Sequence, residues 1–106
     1  MKTINITWDV PVTREDGKAL PKAEIADTEV SLAPVAADGT VGSFTSLAKV
    51  KPDATQTVNK DVPDGDYKIR FVVTDIYGQK GKPLDASATV KSAPPGQVLN
   101  IKVTVA

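Results

Sequence analysis

Apolar and polar positions alternate with a period of two along most of this chain, the pattern of strands that are buried on one face and wet on the other. The clearest stretch is residues 62–75. A Pro-Asp-Gly turn there leads into a strand with Tyr67, Ile69, Phe71 and Val73 on one face and Lys68, Arg70 and Thr74 on the other; Val72 is the apolar exception on the polar side. Residues 4–10 alternate in the same way, with Ile4, Ile6, Trp8 and Val10 facing inward, until Pro11, which has no N–H to give a ladder, ends the strand. Residues 13–24 hold the charged turn Arg14-Glu15-Asp16-Gly17-Lys18 and the breaker Pro21, and read as a surface loop.

A strand over residues 25–35 places Thr28, Val30 and Leu32 on one face, with Pro34 limiting its far end. Asp38-Gly39 signals a hairpin, because both residues tolerate the positive φ of tight turns. In residues 41–50, Val41, Phe44, Leu47 and Val50 recur every third position. Gly42, Ser43, Thr45 and Ser46 are poor helix formers, so a bulged edge strand is expected instead. Further strands are expected over 55–62, over 84–91 with Leu84, Ala86, Ala88 and Val90 inward, and over 97–105 with Leu99, Ile101, Val103 and Val105 inward. Seven short strands with turn signals between them predict an all-β antiparallel sandwich forming a single domain over residues 1–106. Its inward set includes the aromatics Trp8, Phe44, Tyr67 and Phe71, and no disulfide is needed to hold such a core.

Composition narrows the chemistry. The chain has no Cys and no His, which removes thiolate catalysis, disulfides, thiolate metal sites, and the commonest general base and metal ligand. Thirteen Lys and Arg balance thirteen Asp and Glu, so no net charge draws the chain to nucleic acid or to an anionic membrane. No apolar run reaches the roughly 20 residues that span a bilayer, and the N-terminus alternates where a secretory leader would be continuously apolar. Synthesis in the cytoplasm is the expectation, with no membrane insertion, no nucleic-acid partner, no cofactor and no catalytic residues.

Three stretches together resemble a fibronectin type III domain, an immunoglobulin-like sandwich. Ile4-x-Ile6-x-Trp8-x-x-Pro11 is similar to that family's second strand, whose Trp lies at the centre of the core. Ile25-x-x-Thr28-x-Val30-x-Leu32 is similar to its third strand, although Thr28 stands where Tyr is usual. Val62-Pro63-Asp64-Gly65-Asp66-Tyr67-x-Ile69-x-Phe71-x-Val73 resembles the turn and sixth strand that carry the tyrosine corner. The resemblance covers residues 4–92 and implies a structural core of Ile4, Ile6, Trp8, Val30, Leu32, Tyr67, Ile69, Phe71 and Val73.

The family's first strand would precede Ile4. Residues 93–106, a linker followed by an alternating segment, resemble that strand moved to the C-terminus. The segment can pair in cis, completing its own sandwich, or in trans, completing a neighbour's. Cis pairing is the expectation, because the termini of such sandwiches often lie close together.

Asp61, Asp64 and Asp66 crowd one turn but lack the full oxygen set calcium needs, and they read as turn residues. Tyr77, Glu15 and Asp16 are candidate contact-loop residues, with Tyr77 the aromatic anchor for a protein or sugar partner. The resemblance extends to free-standing sandwich proteins that decorate the capsid or tail of tailed-phage particles. It implies a non-enzymatic virion component, made in the host cytoplasm, that contacts other protein subunits and itself. The alternatives are a carbohydrate- or cell-surface-binding module, or an excised module of a larger secreted protein.

Overall fold

A computed structural model describes residues 2–91, 96, 97, 100 and 102–105. It shows an all-β antiparallel sandwich of two unequal sheets. β1 (Lys2–Thr7) pairs with β4 (Thr57–Val62) in the smaller sheet. The larger has the order β3-β2-β5-β6, with β2 spanning Ile25–Val35, β3 Thr45–Val50, β5 Gly65–Asp75 and β6 Leu84–Val90. A short 3-10 turn, Lys22–Glu24, leads into β2. No described helix is long and apolar enough to cross a membrane.

The β2–β5 ladder is the longest, running from Ile25 opposite Asp75 to Val35 opposite Asp66. Between the sheets lie Ile4, Ile6, Val30, Leu32, Val62, Tyr67 and Ile69, all buried. The Tyr67 hydroxyl donates to the carbonyl of Pro63, four residues upstream, at 2.6 Å. This bond ties the turn between β4 and β5 to the core. Gly39 takes a φ of +89°, and the Thr40 N–H donates to Asp38 Oδ1 at 2.9 Å, closing the hairpin signalled by Asp-Gly.

β3 is an edge strand with a bulge, as its irregular spacing implies. Val30 faces Ala48 and Ser31 faces Ser46, which leaves Leu47 as the extra residue. Other expectations need correcting. β1 starts at Lys2 and ends at Thr7, four residues short of Pro11, with one further ladder bond from the Trp8 N–H to the Gln56 carbonyl. β2, by contrast, keeps its expected bounds of 25–35, and Pro34 is tolerated near its end because β3 pairs only as far as Leu32 and Pro34 only has to accept, from the Gly42 N–H. Phe44 does not face inward. It lies on the outer face of the larger sheet, with the Arg70 guanidinium 4.1 Å from its ring centroid, and Arg70 also forms a two-pronged bond with Asp85.

The largest correction concerns cover. A two-stranded sheet cannot roof a four-stranded one. Trp8, expected at the centre of the core, is half-buried at its margin, tilted against Phe71 at 5.5 Å and donating to Gln56 Oε1. Phe71 and Val73 are likewise half-buried. Leu84 and Ala86 of β6, placed on the inner face by their pairing with Phe71 and Ile69, are exposed. The seventh strand was expected over residues 97–105. Leu99 and Ile101 lie outside the described residues, while Val103 and Val105 belong to no strand and are 82% and 93% exposed.

Thr28 is fully buried between Val50 and Val73, and its Oγ1 finds no hydrogen-bond partner among the described residues. An unpaired buried hydroxyl is costly, whereas a methyl of the same shape is not. Thr28→Val is therefore expected to raise the unfolding free energy by about 1 kcal/mol, and Tyr67→Phe to lower it by about 1 kcal/mol. Urea denaturation of both variants checks the pair, and destabilisation by Thr28→Val would contradict this view of the site.

Candidate functional site

The inward parity of β5 continues one residue beyond its apolar row, so Asp75 is a carboxylate on the core face. It is buried and fully partnered. Arg14 Nη1 donates to Asp75 Oδ2 at 2.9 Å, and the N–H groups of Tyr77 and Gln79 donate to Oδ1 at 3.0 and 2.8 Å. The other arm of Arg14 reaches Glu24 Oε1 at 3.5 Å, and the Ile76 N–H donates to the Glu24 carbonyl. The loop before β2 and the hairpin after β5 are thus clamped together at one end of the sandwich.

Burial pushes the Asp75 carboxyl up, but the Arg14 hydrogen bond and the two backbone N–H groups outweigh it and hold the group below its ordinary value. The same contact raises Arg14 above its usual range, against the opposing effect of burial. Charge-assisted bonds of this kind fix geometry as well as charge state.

On this base sit the candidate contact residues. Tyr77 is 67% exposed, and its hydroxyl makes only a long 3.4 Å contact with Glu24 Oε1. Its backbone is held by Asp75, and Gly78 takes the positive φ that closes the turn. Ile76 beside it and Val12 in the facing loop are also exposed. Glu15 accepts from the Lys82 N–H at 3.0 Å, while Asp16 accepts from the Lys18 N–H within its own turn. Thr13, Arg14, Glu15, Asp16, Lys80 and Lys82 line an open cleft of about 590 Å³ between the loops. Tyr77, Glu15 and Asp16 therefore share one end of the molecule.

The clamp itself was missed by sequence reading, because Arg14 and Asp75 lie 61 residues apart. Its signal was the parity of Asp75: an acid in register with Tyr67, Ile69, Phe71 and Val73 needs a partner. Asp61 and Asp66, expected as turn residues, lie instead in β4 and β5 and bond across to neighbouring strands, Asp61 accepting from Thr3 and Asp66 from Thr89. Among the described residues, no group of three or more His, Cys, Asp or Glu could hold a metal ion.

The clamp has a pH signature. Asp75, Asp85 and Asp38 are each held below 3.8, Asp75 as described, Asp85 first by Arg70 and Asp38 first by the Thr40 N–H. Stability from a depressed carboxyl is fully present above the unfolded value and is lost as pH falls through the folded one. Thermal melts are expected to lose Tm progressively below pH 4. Asp75→Asn should start from a lower Tm at neutral pH and fall less steeply in acid. An acid limb as steep as that of the wild type would remove Asp75 from this role.

The chain matches no protein-family model, no curated protein and no solved structure.

Proposed function

We propose that this chain is a non-enzymatic protein-contact module, working as a decoration or tail-associated component of a tailed-phage particle. The observation that carries the contact reading is the exposed Tyr77 on a turn fixed from below by Asp75. An aromatic ring offers large contact area, and a turn that is already ordered loses little freedom on binding. Val12 and Ile76 supply further exposed apolar surface on the same loops. Exposed apolar side chains rimmed by Glu15, Asp16 and Lys82 are the usual make-up of a contact patch with a polar rim.

The placement on a phage particle is supported by the fibronectin-type resemblance, to which the Tyr67–Pro63 corner adds. It is an analogy of architecture and setting, since one sandwich serves many functions. The partners it implies are capsid or tail subunits.

Two measurements test the proposal. The protein should co-purify with virus particles in many copies per particle. Tyr77→Ala should weaken attachment about tenfold or more, as loss of an interface anchor does, with Tm nearly unchanged. Absence from purified particles would overturn the virion role. Glycan binding abolished by Tyr77→Ala would replace it with the carbohydrate-binding alternative.

A further inference from the structure

An open groove of about 610 Å³ runs along one flank of the sandwich, between the two sheets. Ile4, Ile6 and Trp8 line it from β1, and Leu84, Ala86 and Ala88 from β6. Along its rim β1 offers an unpaired backbone edge, since among the described residues its only ladder is with β4. The groove has the shape and chemistry of a strand's berth, with backbone groups to pair on one side and an apolar floor for alternate side chains. We propose that it accepts residues 97–105 of a second copy of this chain, so that molecules join head to tail by strand donation.

The occupant follows from the chain itself. Leu99, Ile101, Val103 and Val105 alternate with Asn100, Lys102 and Thr104, giving one apolar row to lay on the floor and one polar row for solvent. The six paired residues of β1 fall one short of the seven positions, 99–105, that the row spans. Val103 and Val105 are almost fully exposed in the single chain, so they do not fill the groove of their own molecule.

For a strand that pairs antiparallel to β1, the orientation in which we place the donor, direction favours the neighbour too. Lys2 faces Val62, the β4–β5 turn follows directly, and Gly65 faces Val90, so β1 begins at the end where β6 finishes. A strand antiparallel to β1 has to enter at the opposite end. To reach it in cis, residues 91–96 would retrace the length of β1, about 17 Å by strand rise, and cross between sheets about 10 Å apart, about 20 Å even in a straight line. Fully extended, the link reaches about 25 Å, which leaves little for two reversals of direction. Pro94-Pro95 shortens that reach further. A second copy carries no such restriction, and donation in one direction gives an open chain or a closed ring.

Sedimentation velocity on the full chain tests this. Wild type is expected to grow from one chain mass to multiples of it as concentration rises. Val103→Asp, which removes the donor, and Ala86→Arg, which blocks the groove floor at an exposed site, should each stay at one chain mass with an unchanged circular dichroism spectrum. Mixed, the two variants should form a heterodimer of twice that mass, because each retains what the other lacks. Tyr77→Ala should associate like wild type, which separates this surface from the contact loop. Since the chain has no Cys, Leu84→Cys with Val103→Cys reports the donor's origin. Cross-links between chains support donation. Cross-links within one chain, wild type at one chain mass at every concentration, or a mixture that fails to pair would each overturn it.

Discussion

The inner row of β5 is the constraint on which both ends of the molecule depend. Tyr67, Ile69, Phe71, Val73 and Asp75 occupy alternate positions of one strand, and burying the middle of that row fixes the facing of the rest. At one extreme Tyr67 must find an acceptor, and Pro63 provides it. At the other, Asp75 must find a cation and donors, and Arg14, Tyr77 and Gln79 provide them. A one-residue slip of β5 would turn Lys68 and Arg70 inward and undo both anchors. The register is therefore set by polar demands at the ends as much as by the apolar residues between.

The two sheets share that core unequally. β1 and β4 cover β2 and β5 well enough to bury Val30 and Ile69, but they leave Leu84 and Ala86, the first half of the inner face of β6, open to solvent, while Ala88 and Val90 still pack against the core. The half-burial of Trp8 and Phe71 follows from the same mismatch of widths. The clamped loops, at an end of the sandwich, and the uncovered flank, along its side, adjoin at Pro11, Val73 and Lys82, which line both.

Much of this could be read from the sequence, and the failures have physical causes. Period-two alternation located β1, β2, β5 and β6, whereas β3 was expected as a bulged edge strand because its third-position spacing falls among poor helix formers. It also gave the correct inward parity for Leu84 and Ala86, yet not their exposure, since parity says which way a side chain points and not what lies above it. Phe44 was misplaced because an aromatic was assumed to seek the core, whereas Arg70 offered it a guanidinium on the outer face. The loop residues Tyr77, Glu15 and Asp16 were visible as exposed candidates. Their common support, the Arg14–Asp75 pair, depends on a long-range closure that no local pattern encodes.

The bulge at Leu47 has a consequence for crowding. It breaks the hydrogen-bond repeat along β3, the outermost strand of the larger sheet, so that strand is a poor template for casual pairing. The opposite flank carries no comparable irregularity in β6, and β1 pairs with β4 without a shift in register. One side of the molecule is blunted and the other keeps a regular edge. Such lopsidedness lets a protein be packed at high local density without knitting into disordered sheets, while still allowing one chosen kind of neighbour.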